Sequence, residues 1–218
     1  MAAGQLSLAT PAFYAVGGTL AALMATRTAT GDSISLVAVL LEMLLAAALT
    51  GALAVLVGIP VLRLRGIYLA IATIALVEIV RVAILNLPFT GGATGIFGIP
   101  QPFQQPLGYV LLSGGLLALS AWLCQRIEAS RLGRAMAAIR DDELATRCMG
   151  INTTRIKLTA FVASAMLAGV TGVVAAHHLN TWNARQGSFD VAITTLAFVI
   201  LGGSRSWLGP VVGGLLLT

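Results

Sequence analysis

Long apolar runs leave this chain little choice of solvent. Across residues 34–57 the only charged side chain is Glu42. A helix rises about 1.5 Å per residue, so about 20 apolar residues cross the roughly 30 Å hydrocarbon core of a bilayer. By that measure six spans are predicted: 8–25 (the weakest), 34–57, 66–85, 107–124, 158–176 and 191–217. The second is expected to stop at Gly58-Ile59-Pro60. Composition agrees, since only 10% of the 218 residues are charged and mean hydropathy is +0.94. A soluble domain carries about a quarter charged residues. The expected fold class is an all-α polytopic membrane protein with about six transmembrane helices, residues 1–218 forming a single transmembrane domain.

The run 191–217 is interrupted by Gly202-Gly203-Ser204-Arg205. Irregular backbone at membrane depth survives only where protein or a water-filled cavity shields it. The expected solution is a span ending near Leu201, a tight turn at Gly202 and Gly203, and a new helix near Pro210, proline being well placed in a first helical turn.

Arginine sets the orientation. The connection 125–157 holds Arg126, Arg131, Arg134, Arg140, Arg147, Arg155 and Lys157 against Glu128, Asp141, Asp142 and Glu143. Cytoplasmic loops carry such an excess, so this loop is expected inside, together with Arg63 and Arg65. The connection 87–106 has no lysine or arginine and is expected outside, Arg27 and Arg185 being single exceptions on that side. The net charge of +5 therefore reports membrane orientation; no basic patch interleaves with aromatics, and no nucleic-acid partner is implied. Cys124 and Cys148 read as reduced packing thiols on the cytoplasmic side. Met1 to Leu8 lacks a positive n-region, so no cleaved signal is expected, and the apolar ends suggest that helices are missing at one or both of them.

Several chemistries are excluded by motif. No Gly-x-x-x-x-Gly-Lys-[Ser/Thr] cradle exists, and Lys157 is the sole lysine, so ATP is not hydrolysed by a Walker-type site. There is no His-Glu-x-x-His, no zinc-spaced cysteine pair and no Gly-x-Ser-x-Gly elbow. Neither a metal nor a cofactor is implied. His177 and His178, adjacent on a helix, diverge by about 100° and are expected as interface residues at the outer end of the fifth span.

Within the basic loop, Leu132, Met136 and Ile139 recur at helical spacing with arginines on the other face, an amphipathic helix. Asp141-Asp142-Glu143 then suits a helix start, where free amides attract negative charge. A short helix of about eight residues follows, with Leu144, Cys148 and Met149 apolar and Gly150 at the left-handed position that ends helices. Asn152 or Thr153 caps the next span. Spacing alone also permits an ordinary solvated connection. The outer loop 90–100 has glycine at 91, 92, 95 and 98; with Thr94, these form either a solute-contacting re-entrant loop or a compact turn. Glu78 and Arg81 share a face of the third span at i, i+3. Such residues are functional candidates or a self-neutralising pair. Glu42 needs a partner from another helix or a place near the interface.

Taken together, these stretches resemble the LivM-type permease subunits of branched-chain amino acid ABC importers. The resemblance is carried in order by Gly4-Gln5-Leu6-Ser7-Leu8, by residues 62–73, by Glu78-Ile79-Val80-Arg81, and by Thr90-Gly91-Gly92 through Gly98-Ile99-Pro100. It continues in Gly133-Arg134-Ala135, Ala138 through Glu143, Met149-Gly150-Ile151-Asn152, Leu201-Gly202-Gly203 and Trp207-Leu208-Gly209-Pro210. It implies a second related permease, two cytoplasmic ATPase subunits and a soluble periplasmic or extracellular solute-binding protein as partners, with membrane lipid around them. It also implies a bacterial or archaeal cell membrane. Arg140, Asp141, Asp142, Glu143, Ala145 and Gly150 would belong to a coupling helix that docks into the ATPase. The importer signature is loose here, since Glu143 stands seven before Gly150 and Leu144-Ala145 replace paired alanines. Glu78, Arg81, Gly91, Gly92, Thr94 and Gly95 are the candidates for the translocation path. The expected activity is alternating access driven by ATP hydrolysed on a separate subunit, with no reaction on this chain. The alternatives are an importer permease for urea or short amides and an ion-coupled secondary transporter using Glu42 and Glu78.

Overall fold

The computed structural model describes residues 7–28, 35–64, 66–103, 105–203 and 208–217. Readings that fall on Gly4 to Leu6, Arg65, Ser204, Arg205 and Trp207 lie outside the described residues. In chain order the helices are α1 (Thr10–Thr28), α2 (Leu36–Val61), α3 (Ile67–Asn86), α4 (Pro106–Ala129), α5 (Arg131–Asp141), α6 (Glu143–Cys148), α7 (Thr153–Leu179), α8 (Phe189–Gly202) and α9 (Leu208–Leu217). Two 3-10 turns, Pro88–Thr90 and Ala184–Gly187, lie between them. So does an antiparallel ribbon in which β1 (Ile96–Phe97) pairs with β2 (Thr181–Trp182).

Four helices, α2, α3, α4 and α7, are long and apolar enough to cross a membrane. The protein is an all-α, multi-pass membrane protein, but two of the six predicted spans depart from that measure. Residues 191–217 divide into α8 and α9, which are too short, folded against each other so tightly that a methyl on Gly202 would overlap the Gly209 carbonyl. Among the described residues α8 ends at Gly202 and α9 runs from Leu208, with Pro210 in its first turn. The other departure is α1, which has the length but not the hydropathy. It has little need of it: Pro11, Ala12, Phe13, Ala15, Gly17, Gly18, Ala21, Ala22 and Ala25 are all buried. Lipid-facing surface must be greasy; a helix sheathed by other helices can be built from glycine, alanine and threonine.

The sheath is α7 and α2. Phe13 meets Phe161 edge-on at 5.5 Å. Gly17 lies on Gly169, and Gly172 lies against the Tyr14 carbonyl, so α1 and α7 meet at backbone contact. Ala9 and Phe13 cluster with Phe161 and Ala165, and Ala21 and Ala25 with Val173 and Ala176, so the two helices run in the same direction. Thr50 of α2 fills the space beside Gly169. The second helix also runs past its expected stop: Pro60 sits in the last turn, where the missing N–H removes one bond and the Leu62 amide still reaches the Gly58 carbonyl.

After α7 the chain turns back. Asn180 takes the left-handed conformation at φ 58°. Trp182 then packs on Gly18, and its Nε1 donates to the Ala15 carbonyl at 3.3 Å and to Thr19 Oγ1 at 3.1 Å. Ala184 reaches Ala15 and Ile84, and Gly187 rests on Ala15 near the Pro11 carbonyl. This non-helical segment therefore descends about two turns along α1, level with the interior of α7, before α8 begins.

Candidate functional site

The basic connection folds as a capped peg. Ser130 Oγ accepts from the Leu132 and Gly133 amides and starts α5. Asp142 ends that helix, its amide donating to the Ala138 carbonyl at 3.0 Å, and begins α6, its Oδ1 accepting from Leu144 N at 2.8 Å and Ala145 N at 3.0 Å. One residue is thus cap to both helices. Gly150, at φ 80°, closes α6 by donating to the Arg147 carbonyl at 3.0 Å. Asn152 then caps α7 by accepting from the Arg155 amide.

The three acids do different things. Glu143 turns back toward α7: Lys157 Nζ lies 2.7 Å from its Oε2, and Arg147 donates to its Oε1 at 2.8 Å. Arg147 Nε also donates to Thr153 Oγ1 at 2.9 Å. Lys157 is buried, with 4% of its side chain exposed, because α6 lies over it. Asp141 and Arg140 are exposed on the last turn of α5, and Ala145 is exposed on α6. The outward face of the peg is apolar, with Leu144 68% and Met149 80% exposed. That Lys157, Arg147 and Thr153 gather around Glu143 was not readable from the sequence; the one available signal was a lone lysine beside an apolar span.

A second polar group lies within the bundle. Arg81 donates to Glu78 through Nε at 3.0 and 3.1 Å and through Nη2 at 2.6 Å. Both side chains remain about one-third to one-half exposed, so this face of α3 is only partly covered by the described helices. Asp190, in the first turn of α8, is close enough to act electrostatically on Arg81. The re-entrant segment brings it there, a placement that no periodicity announces. Gly91, Gly92 and Gly95 take φ of 72°, 57° and 83°, and Thr94 Oγ1 donates to the Gly91 carbonyl at 2.7 Å. They make a compact turn: a methyl on Gly91 would strike the Gly95 carbonyl, and one on Gly95 would meet the Trp182 carbonyl at 2.5 Å.

Glu42 finds its partner across the bundle. Its Oε2 is 2.7 Å from Nε2 of His177, whose Nδ1 is 2.8 Å from the Pro100 carbonyl. The expectation that His177 lies at the membrane interface is corrected here. It is 1% exposed, drawn inside by those two bonds, while His178 is exposed and packs edge-on against Tyr109 at 5.0 Å.

Membrane-crossing helices, a re-entrant segment and a capped peg define a polytopic membrane protein. The chain belongs to the family described as branched-chain amino acid transport system / permease component, which matches residues 1–218. The high-affinity branched-chain amino acid transport system permease protein LivM of Salmonella typhimurium is 36% identical over 203 residues, covering 79% of this chain and 48% of that protein. The LivM protein of Escherichia coli K12 is 36% identical over 192 residues, covering 74% and 45%. The ribose import permease protein RbsC of Escherichia coli K12 is 30% identical over 141 residues, covering 61% and 42%. The chain thus spans about half the length of these relatives. No solved structure matches it.

Proposed function

We propose that this chain is the membrane-spanning part of an ATP-driven importer for branched-chain or related amino acids in a bacterial or archaeal cell membrane. The observation that carries the reading is the peg: a six-residue helix, capped at both ends and anchored to α7 by Glu143–Lys157, with Leu144 and Met149 facing outward. A connection with no load to bear needs no shared cap and no buried ion pair. ATPase subunits would grip Leu144 and Met149, with Arg140, Asp141, Ala145 and Gly150 around them. Closure of the ATPases would tilt α6 and, through Asp142 and Lys157, both α5 and α7. The second permease and the solute-binding protein would complete the assembly.

The path would run beside Glu78, Arg81, Asp190 and the Gly91–Gly95 turn. An ion pair left uncovered in a span is costly against lipid and acceptable against a water-lined path or another subunit. The LivM relatives are named for branched-chain amino acids, which favours that substrate class over urea or amides. The ion-coupled alternative loses a carboxylate, since Glu42 is already engaged by His177.

The test is Leu144→Asp with Met149→Asp. Both sites are solvent-exposed, so the fold should persist while co-purification with the ATPase falls at least about tenfold and ATP-dependent uptake with it. Undiminished association in that double variant would refute the docking role. Reversing all three acids is a poorer test, because Asp142 and Glu143 also hold the peg in shape.

A further inference from the structure

Among the described residues, Glu42 and His177 are buried polar groups that the importer reading does not use. Their hydrogen-bond stereochemistry is determinate. A carbonyl oxygen only accepts, so the 2.8 Å contact to Pro100 fixes the hydrogen of His177 on Nδ1. The 2.7 Å contact between Nε2 and Glu42 Oε2 then needs a proton of its own. Whichever atom holds that proton, the pair is net neutral, and a net-neutral pair can lie buried among apolar helices. Glu42 makes no bond with Oε1; its carboxyl is committed to orienting the imidazole. Without it, the ring loses the second bond, at Nε2, that holds it aimed at Pro100.

Pro100 belongs to the connection between α3 and α4, which closes one end of the bundle. Its neighbour Ile99, 1% exposed, is seated among Ala25, Val39 and Val173, and the Ile99 amide donates to the Asn180 carbonyl at 3.3 Å. Tyr109, at the start of α4, donates to the carbonyl of His177 at 3.1 Å. Residue 177 thus gathers α2, α7, the connection and α4 at one point. Tyr109 is the only buried residue among those described in α4, so that point is where the helix is fastened at this end.

We infer that Glu42 is a positioning residue: acting through His177, it latches the described part of the α3–α4 connection, residues 87–103, and with it the start of α4, closed over α2 and α7. The inference rests on these contacts alone and not on the importer reading.

The experiment places a reporter under the latch. In the full-length protein with Cys124 and Cys148 changed to alanine, Ile99→Cys puts a thiol where the closed connection hides it. The protein is reconstituted into nanodiscs, open to reagent from both faces, and labelled with a water-soluble maleimide. Glu42→Leu should raise the labelling rate at least about tenfold. Glu42→Gln should leave it within about twofold, because the amide N–H donates to the same Nε2 and holds the same tautomer. Equal protection in the leucine variant would overturn the latch; so would equal exposure in the leucine and glutamine variants. Should the leucine variant not accumulate, the glutamine variant decides: protection supports the latch, and exposure overturns it. The assay needs no ATPase, so its failure and the failure of the docking prediction are separate results.

Discussion

Glycine does its work in this molecule mainly by leaving room, and the sites where that matters are specific. Gly172 faces the Tyr14 carbonyl, which cannot move without moving α1; Gly114 and Gly115 on α4 face nothing within 4 Å. Gly172→Leu should therefore wedge α1 from α7 and lower stability by at least about 1–3 kcal/mol, the usual range for overpacking. Gly114→Ala should fall within about 0.5 kcal/mol of wild type, as substitutions away from packing usually do. Thermal unfolding in detergent compares the two. The buried lysine offers a second residue-level test. Lys157→Met leaves Arg147 on Glu143 and on Thr153 but removes the ion pair that ties the peg to the second turn of α7. Amide hydrogen exchange across residues 143–150 should then quicken about tenfold, while α7 itself keeps its protection. No change in exchange would mean that the peg is held by something other than this ion pair.

Among the elements, those governed by local chemistry were readable and those governed by distant partners were not. The apolar runs gave α2, α3, α4 and α7 because hydropathy and length are properties of a segment. Asp142, Gly150 and Asn152 cap helices within three residues of themselves, so the short helix, its start and its end were legible in advance. Glu143 was not: whether an acid at a helix start points to solvent or back to Lys157 depends on how α6 lies on α7. The same holds for His177, whose burial is decided by Glu42, 135 positions away. The re-entrant segment 181–188 carries Asn, Arg, Gln and Ser and reads as a surface loop; only the small residues lining α1 allow it inside. Trp182→Phe tests that accommodation. It keeps the ring on Gly18 and loses the donations to Ala15 and Thr19, while the Ala15 carbonyl still accepts from Thr19 Oγ1 at 2.7 Å. A fall of about 1–2 kcal/mol in stability is expected, read by the same thermal measurement.

For the whole molecule, sidedness is the property from which the docking proposal takes its meaning. Cys148 is exposed on the peg. A membrane-impermeant maleimide should label it in inside-out vesicles and not in intact cells; labelling in intact cells would invert the proposed orientation and detach the peg from any cytoplasmic motor. Composition made the bilayer legible, and arginine made the expected orientation legible, since both are sums over many residues. The order of burial was hidden, because the segment with the weakest span signal became the centre of the bundle.

That centre has a consequence for biogenesis. The helix α1 must leave the ribosome long before α7, its main covering, which starts at Thr153. At about 5–20 residues per second the delay is on the order of ten seconds. A nascent chain released before residue 153 should leave a cysteine at position 15 of α1 open to a water-soluble maleimide, and one released after residue 179 should not. Until α7 arrives, a poorly lipophilic helix has no stable berth, and the insertion machinery must shelter it or surveillance proteases will find it.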